Sequence, residues 1–439
     1  MSPPLPMLSV EPWRELGRRL AGMAGAISPP ARRETLGVAE PKPGQLKRVL
    51  TITAIGVALV LAYRYQLVTM IDLEVYRRGA GELVHGQSLY VSPSSEHPFT
   101  YPPFAAILFV PLYFLGPIGA AVMFTLVSLT CYAVFAVVCA RSLGLSWPAT
   151  ALGSLAGLAF EPILHTLGIG QINLVLALLI VVDCLVMPAG RRGVLLGIAV
   201  GIKLTPGIFV LYFLLKRDVP ALLRCVVGFA GTVLISALVS PHDTFEFWTK
   251  LFYSPEHVGT NRFYVANQSM FGDLGRLVHN AHPPLSAYAA LVVIALVLAT
   301  LAARRQLRAG DELAALVCIA IGGLLISPIS WSHHWVWLVP AGLVLAVHQR
   351  WWSLALILAV PIISPIPATP SPDQQQFHYS WWVLVLCMTY VAAGVWFLVV
   401  MLRASPRDRM PQSAAIGSHQ RGCEPTESYA AAADHVVSR

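Results

Sequence analysis

Asp72 is the first residue whose type and position could do chemistry, because it closely follows the long apolar run Leu46–Thr69. An ionisable side chain at a membrane face can be shielded by protein and still meet a polar substrate. The alternative is that Asp72 only caps the next helix, since Asp favours that position. Glu74 cannot share a helical face with Asp72 and is therefore not an obvious partner.

Three cationic side chains lie in apolar surroundings: Lys203, in the middle of a hydrophobic stretch, and His333 and His334, in SPISWSHHW. A lysine buried in a membrane costs roughly a few kcal/mol and by default marks a function. A phosphate would offset that cost, whereas snorkelling would avoid it. A two-histidine metal site prefers i, i+4 spacing, so adjacent histidines do not indicate a metal. They fit either a hydrogen-bonding site beside a phosphate or an interfacial aromatic belt.

Two pairs of amide side chains are candidates for binding sugar hydroxyls. Gln171 and Asn173 lie in GIGQIN, where the glycines allow a close approach to the backbone. Asn267 and Gln268 lie among Phe and Tyr residues in a long polar segment. The alternative for the first pair is a glycine turn with capping side chains, and for the second pair a structural role.

The elements that must position these residues belong to a polytopic helical membrane protein. Of the 439 residues, 56% are hydrophobic and 12% are charged, against about 25% charged in soluble domains. Many apolar runs reach span length, and they do not alternate as barrel strands would. The net charge of +8 comes from basic residues at the ends of these runs, which indicates topology and lipid headgroups rather than nucleic acid. The seven cysteines form no C-x-x-C pair, so neither a disulfide framework nor a zinc site is expected.

The predicted organisation is a membrane-embedded unit at residues 46–403 between disordered tails at 1–45 and 404–439. About ten full spans are expected, the first at Leu46–Thr69. The flanking Lys and Arg residues place both termini in the cytoplasm. The three motif-bearing loops, at 70–116, at 241–283 and around His333, then lie on the extracytoplasmic side.

Two apolar stretches are not expected to cross the membrane. Phe104–Leu115 has only about twelve residues and is predicted to be a re-entrant or interfacial helix. Gly193–Leu215 has basic pairs at both ends and GIKLTPG in its middle. Two half-helices that enter and leave on the cytoplasmic side would satisfy the charge rule, and a broken helix at membrane depth is tolerated where it lines a cavity.

The motifs IDLEVYRRGA, FTYPPFAA, GQINLVL, GIKLTP, NQS and LLISPISWSHHWVWLVP follow one another between about residue 50 and residue 402. In this combination the chain resembles the polyprenol-phosphate-mannose-dependent mannosyltransferases of mycobacteria and related actinobacteria, glycosyltransferase family 87. The resemblance implies an all-α, membrane-embedded C-type glycosyltransferase fold in the plasma membrane. It also implies transfer of mannose from polyprenyl-phosphate-mannose, in α-1,2 linkage, to a phosphatidylinositol mannoside or to lipomannan.

By the same resemblance, Asp72 occupies the position of the catalytic base. The donor is a β-linked mannosyl phosphate and the product is α-linked, so one inversion needs one base and no covalent intermediate. A phosphate leaves readily as an anion, so the carboxylate pair of a glycoside hydrolase is not required. No metal or other cofactor is expected, because the donor carries no nucleotide diphosphate. The residues expected at the donor phosphate are Lys203, His333 and His334. Those expected at the sugar or acceptor are Tyr101, Gln171, Asn173, Asn267 and Gln268.

Two other functions stay open on the residues alone. A broken helix with a lysine also suits a transporter or a flippase of lipid-linked sugar. Such a protein should hold its ionisable residues within the spans, and this chain shows no internal repeat. A transferase of another polyprenyl-phosphate sugar, such as arabinose, would need the same residues, so only the resemblance favours mannose.

Overall fold

The computed structural model describes residues 69–90, 97–253, 262–363 and 377–404. Within these ranges the chain is helical and forms no strand, which confirms the all-α prediction there; Asn267 and Trp331 form an isolated antiparallel bridge. The predicted first span and the two predicted tails lie outside the described residues, apart from Thr69 and Ala404.

The helices of the described ranges follow one another along the chain. The first are Ile71–Val84 (α1), Pro103–Phe114 (α2), Gly116–Ser142 (α3), Trp147–Leu158 (α4), Glu161–Ile169 (α5), Asn173–Val181 (α6), Val194–Ile202 (α7), Val210–Lys216 (α8) and Val219–Val239 (α9). The later ones are Pro241–Thr249 (α10), Met270–Leu277 (α11), Leu285–Arg308 (α12), Glu312–Ile326 (α13), Leu338–Val347 (α14), Trp351–Ile363 (α15), Trp381–Cys387 (α16) and Thr389–Arg403 (α17). A π-helical turn at Val182–Val186 and 3-10 turns at Thr205–Phe209, Leu251–Tyr253 and Ser332–Trp337 complete them.

Several helices begin where the sequence supplies an N-cap. Ser146, Asp218 and Asp311 each accept a hydrogen bond from the backbone amide three residues further on. Such a bond satisfies one of the amides that a helix start leaves without a partner. Pro162 stands in the first turn of α5, where its missing amide hydrogen costs nothing.

By length and composition, α3, α9 and α12 could each cross a membrane. Two further spans result if α4 with α5, bent by 61°, and α16 with α17, bent by 53°, each count as one. The other apolar helices of the described residues are shorter. The structure therefore supports several apolar helices but does not confirm about ten spans, because many of the predicted runs are interrupted by turns.

The stretch that carries Lys203 is broken, as the sequence predicts. The half-helix α7 runs parallel to α9, because successive glycines lie against successive turns of that helix. These contacts are Gly193 with Ala221, Gly197 with Cys225 and Gly201 with Thr232. At Lys203 the backbone becomes extended, and α8 then returns the chain to Asp218 at the start of α9. Both ends of the stretch thus lie at the same end of α9, as a re-entrant hairpin with Lys203 at its tip requires.

The two predicted loops contain helices of their own. The first holds α1 and α2, which pack against each other around Tyr76 and Phe109, whose rings stack with centres 4.2 Å apart. The second, at 241–283, holds α10 and α11. The larger hydrophobic core lies elsewhere, among α3, α6, α13, α14 and α17.

Candidate active site

Asp72 lies in the first turn of α1, which is docked on the turn that follows α5. The Thr69 amide donates to the carbonyl oxygen of Gly168 at 3.0 Å. Gly170 has a φ of +71°, and a Cβ atom there would lie only 2.6 Å from the Cβ atom of Leu73. Gly170 is therefore required for the left-handed turn and for the close approach of α1.

One oxygen of Asp72 belongs to a hydrogen-bonded group of four residues, Asp72, Gln171, Tyr76 and Tyr101, which we call the base cluster. Gln171 Nε2 donates to Asp72 Oδ2 at 2.6 Å. Gln171 Oε1 accepts from the Tyr101 hydroxyl at 3.2 Å and also from the Tyr76 hydroxyl. This network assigns the orientation of the amide, because an ionised carboxylate can only accept. Among the described residues no donor reaches Asp72 Oδ1, so within this part of the chain that oxygen keeps its full capacity to accept a hydrogen bond.

The geometry does not favour a capping role for Asp72. The N-cap of α1 is Met70, and no side chain caps this helix. Burial raises the pKa of the Asp72 carboxyl above its ordinary value, while the Lys203 charge and the Gln171 hydrogen bond pull it down again. A half-buried carboxylate with a raised pKa is a stronger base than one in water.

A second group, Lys203, Asn173 and His334, is called the cation cluster here. Lys203 Nζ lies 3.3 Å from Asn173 Oδ1 and 3.3 Å from His334 Nε2. It also lies 5.4 Å from the centre of the Tyr101 ring, which connects the two clusters. Lys203 therefore points into the site instead of snorkelling, and its ammonium is available to an anion.

The adjacent histidines have different surroundings. The His333 carbonyl oxygen accepts from Asn173 Nδ2 at 2.9 Å and from Thr166 Oγ1 at 3.0 Å. Its side chain is 6% exposed, and neither ring nitrogen has a partner among the described residues. The His334 ring lies edge-on to it, 4.7 Å away. The structure thus brings His334, and not the ring of His333, into contact with Lys203.

Asn267 and Gln268 join neither cluster. Asn267 is fully buried, and its Nδ2 donates to the carbonyl oxygens of Arg262 at 2.6 Å and Pro328 at 3.0 Å. Its Oδ1 accepts from the Ser330 amide at 2.8 Å. Gln268 Nε2 likewise donates to a backbone carbonyl. The Asn267 amide thereby joins the 241–283 segment to SPISW, whereas the Gln268 amide is bonded within its own segment; a role of either residue at the sugar stays a prediction.

A cavity of about 240 Å³ adjoins the cation cluster. Asn173 and His334 form part of its wall, and the remainder is mostly apolar, with contributions from Thr205–Phe209, from α6 and from the last turns of α13. A phosphate held at Lys203 would therefore lie next to an apolar space. This arrangement suits a ligand with an anionic head and a hydrocarbon chain.

The stretch Phe104–Leu115 does not line this cavity. No residue of α2 contributes to the cavity wall. Phe104 is 9% and Phe109 3% exposed, because α2 packs its aromatic side chains against α1. The helix therefore supports the base cluster, and a charge at Phe109 would disturb Tyr76 instead of donor entry.

In the described ranges, the group with metal-ligand character consists of His242, Asp243 and Glu246, whose ligand atoms lie within 4.8 Å of one another. Both Asp243 oxygens already accept hydrogen bonds, from Ser88 at 3.1 Å and from Ser240 at 2.6 Å. Neither the base cluster nor the cation cluster contains such a set.

Sequence reasoning overlooked three polar residues near the site. Tyr76 follows Asp72 by four residues, and this spacing puts the two on one face of a helix. Glu161 and His165 have the same spacing on α5, where Glu161 Oε1 lies 3.1 Å from His165 Nδ1. A carboxylate inside an apolar run was the signal that could have found the second pair.

Comparison with known proteins identifies the family. The model of glycosyltransferase family 87 matches residues 99–328. A Mycobacterium tuberculosis protein named polyprenol-phosphate-mannose-dependent alpha-(1-2)-phosphatidylinositol mannoside mannosyltransferase is 32% identical over 363 residues, covering 76% of this chain and 84% of that protein. The protein of that name from Mycolicibacterium smegmatis is 34% identical over 359 residues, covering 73% and 81%.

A third relative is similar over a larger share of this chain. The Mycobacterium tuberculosis polyprenol-phosphate-mannose-dependent alpha-(1-2)-phosphatidylinositol pentamannoside mannosyltransferase is 31% identical over 385 residues, covering 81% of this chain and 87% of that protein. No solved structure gives a significant match. Because the family model matches more than half of the chain and these relatives cover over two thirds of it, the chain belongs to glycosyltransferase family 87 and is a glycosyltransferase.

Proposed function

We propose that this protein transfers mannose from polyprenyl-phosphate-mannose to a mannolipid, a phosphatidylinositol mannoside or lipomannan, and forms an α-1,2 linkage with inversion. The names of the relatives support this donor and this type of acceptor. The observation that carries the proposal is the placement of Asp72. Gln171 fixes one of its carboxylate oxygens, and no described residue donates to the other. Nearby Lys203 has no carboxylate among its hydrogen-bond partners in the described ranges.

Each residue of the site has one task in this reaction. The acceptor hydroxyl oxygen attacks C1 of mannose, and its proton passes to Asp72 Oδ1. The bond between C1 and the phosphate oxygen breaks, and its electron pair leaves with the phosphate. Lys203 and His334 donate to the phosphate oxygens and stabilise the charge that develops there. Asn173 holds the Lys203 ammonium in place.

The lipid chain of the donor is assigned to the cavity beside Thr205–Phe209. Asn173 and His334 line that cavity and also contact Lys203. The phosphate of the donor and its lipid chain would therefore bind in adjoining sites. We further propose that this end of the protein faces away from the cytoplasm. The re-entrant geometry supports this orientation, because it places the basic pairs at 191–192 and 216–217 at the opposite end from Lys203.

The test uses purified wild type, Asp72→Asn and Glu74→Gln, supplied with radiolabelled polyprenyl-phosphate-mannose and a mycobacterial mannolipid extract. Asn keeps the shape and the Gln171 contact but cannot take the proton, so kcat should fall by about 10²–10⁴-fold. Glu74 is an exposed carboxylate in the same helix, paired with Arg77, and its variant should behave as wild type.

The products decide between the candidate functions. Digestion of the labelled lipid by an α-1,2-mannosidase is expected, and its resistance would contradict the linkage. Full activity of Asp72→Asn would show that the carboxylate is structural. If wild-type protein transfers no label to an extract that is proven competent as acceptor, a flippase is favoured. If it transfers sugar only from polyprenyl-phosphate-arabinose, the sugar is arabinose and not mannose.

A further inference from the structure

A recess of about 380 Å³ lies between the last turns of α12 and α17, and we call it the arginine recess. The residues that form its wall are Leu301, Arg304, Arg305, Arg308, Ala309 and Leu402. All three arginines are exposed. None of the six residues belongs to the base cluster or to the cation cluster, so the recess is a separate feature of the molecule.

The recess lies at the end of the protein that carries the other basic pairs. Glu312 begins α13 shortly after Arg308 and forms an ion pair with Lys216, the last residue of α8. The re-entrant stretch places Lys216 at the opposite end from Lys203. A ligand in the arginine recess would therefore be distant from the proposed reaction centre, and its binding is independent of the proposed function.

Two of the three arginines keep their hydrogen-bond donors unused. Arg305 Nε donates to the carbonyl oxygen of Ala404 at 2.8 Å. Within the described ranges, the side chains of Arg304 and Arg308 form no hydrogen bond and no ion pair. A guanidinium group offers five N–H donors in a planar fork, so these two arginines can bind an anion without giving up a contact in the protein.

The acidic residues nearest in sequence do not neutralise these arginines. Asp311 Oδ2 lies 3.0 Å from His348 Nε2, and Glu312 pairs with Lys216. The sequence that follows Ala404 begins with SPRDR and is itself net positive. An anion that balances the arginine recess is therefore expected to come from outside this part of the chain.

Arg304 and Arg308 continue an exposed apolar stripe of α12. Val293, Val297 and Leu301 are exposed, and the five residues recur every three or four positions, which places them on one helical face. The 24 residues of α12 span about 36 Å, against about 30 Å for the hydrocarbon core of a bilayer. The stripe thus leads from the hydrocarbon into the headgroup region, where the positive charges lie.

We propose that the arginine recess binds an anionic phospholipid, with its phosphate between Arg304 and Arg308 and an acyl chain along Val297 and Leu301. Guanidinium groups match the geometry of phosphate oxygens and bind them through paired hydrogen bonds. A zwitterionic lipid brings an ammonium group that the arginines repel. The site therefore selects lipids with a net negative charge.

The bound lipid would also strengthen the junction of two helices. Gln306 Nε2 donates to the carbonyl oxygen of Met401 at 2.6 Å, and Arg305 reaches Ala404 in the same way. Leu402 lies between these two contacts and lines the recess. Because a ligand that binds the folded state alone stabilises that state, the lipid should raise the temperature of unfolding.

The test adds phosphatidylglycerol or phosphatidylcholine to the full-length protein in detergent and measures lipid binding by native mass spectrometry. Wild type should bind phosphatidylglycerol about tenfold more tightly than phosphatidylcholine, and only phosphatidylglycerol should raise the midpoint of thermal unfolding. Arg304→Gln combined with Arg308→Gln should lose most of this preference. Arg191→Gln with Arg217→Gln is the control, because it removes the same charge from exposed arginines outside the recess, and it should keep the preference.

Three results would overturn the proposal. Wild type could bind both lipids equally, or both double variants could lose the preference alike, which would make it an effect of net charge alone. Inorganic phosphate could raise the unfolding midpoint as much as phosphatidylglycerol does, which would assign the recess to a free anion. If the recess variant does not fold, the salt dependence of wild type decides. Added NaCl should weaken the preference, and a preference unaffected by salt would contradict binding at the arginines.

Discussion

The base cluster and the cation cluster are connected at Tyr101, yet they are built in different ways. In the base cluster, Gln171 uses both ends of its amide, towards Asp72 and towards two buried tyrosines. In the cation cluster, Lys203 has two long contacts of 3.3 Å. The base cluster is held by short hydrogen bonds within the protein, whereas the ammonium of Lys203 is held more loosely.

The difference shows whether the protein or the ligand supplies the binding partner of each cluster. The Asp72 carboxylate must be oriented before substrate arrives, so the protein supplies its hydrogen bonds and leaves one oxygen open. Under the proposed function, the ammonium of Lys203 is the partner of an anion that the ligand brings. Its desolvation is compensated only in part by neutral groups, which favours binding of a phosphate.

Among the substitutions that test this comparison, removal of the Lys203 charge should have the largest effect on catalysis. Lys203→Met keeps the length and apolar stem of the side chain but removes its charge. We expect kcat/KM for polyprenyl-phosphate-mannose to fall about 10²–10³-fold, the range for loss of one electrostatic donor. Steady-state kinetics with varied donor measures this. Lys250→Met, which alters a lysine after α10, is the control, and equal losses in both variants would contradict the assignment.

Gln171→Leu should have a smaller effect with a characteristic pH dependence. The Gln171 hydrogen bond lowers the pKa of Asp72, so its removal raises that pKa further above the ordinary value. Because the base must be ionised to work, the acidic limb of the profile of kcat/KM against pH should move to higher pH. Buried Tyr76 would also lose an acceptor, at about 1–3 kcal/mol in stability. An acidic limb that stays in place would break the link between Gln171 and the base.

Asn267→Ala should have the smallest effect on catalysis. Its three hydrogen bonds join two backbone segments, and the Ser330 amide would be left without that partner, at about 1–3 kcal/mol. Thermal unfolding should therefore shift to lower temperature while kcat/KM per folded molecule stays within about twofold. A rise in KM for the acceptor alone would instead indicate that Asn267 contacts the sugar.

The sequence predicts those features whose free-energy cost can be judged from neighbouring residues in the chain. A lysine in an apolar stretch with basic pairs at both ends predicts a broken, re-entrant element, and the structure confirms the break, which lies at Lys203. Likewise, an Asp directly after an apolar run and a glycine turn before Gln171 indicate polar groups at one face. These side chains are in fact hydrogen-bonded to each other.

Features that depend on tertiary contacts could not be predicted in the same way. Asn267 has the composition of a sugar ligand, but the backbone carbonyl groups it satisfies come from residues 5 and 61 positions away in sequence. His333 and His334 are equivalent in the sequence, and only the fold directs one ring towards Lys203. Hydropathy also gives continuous spans where the described chain bends, as between α4 and α5.

The division of labour between the two clusters is tested most directly by donor binding in the absence of turnover. Binding of polyprenyl-phosphate-mannose to wild type, Asp72→Asn and Lys203→Met would be titrated calorimetrically without acceptor. We predict that Asp72→Asn binds donor within about threefold of wild type although it does not turn over, and that Lys203→Met binds at least about tenfold more weakly. Equal weakening in both variants, or wild-type affinity in Lys203→Met, would contradict the assignment of base and phosphate site.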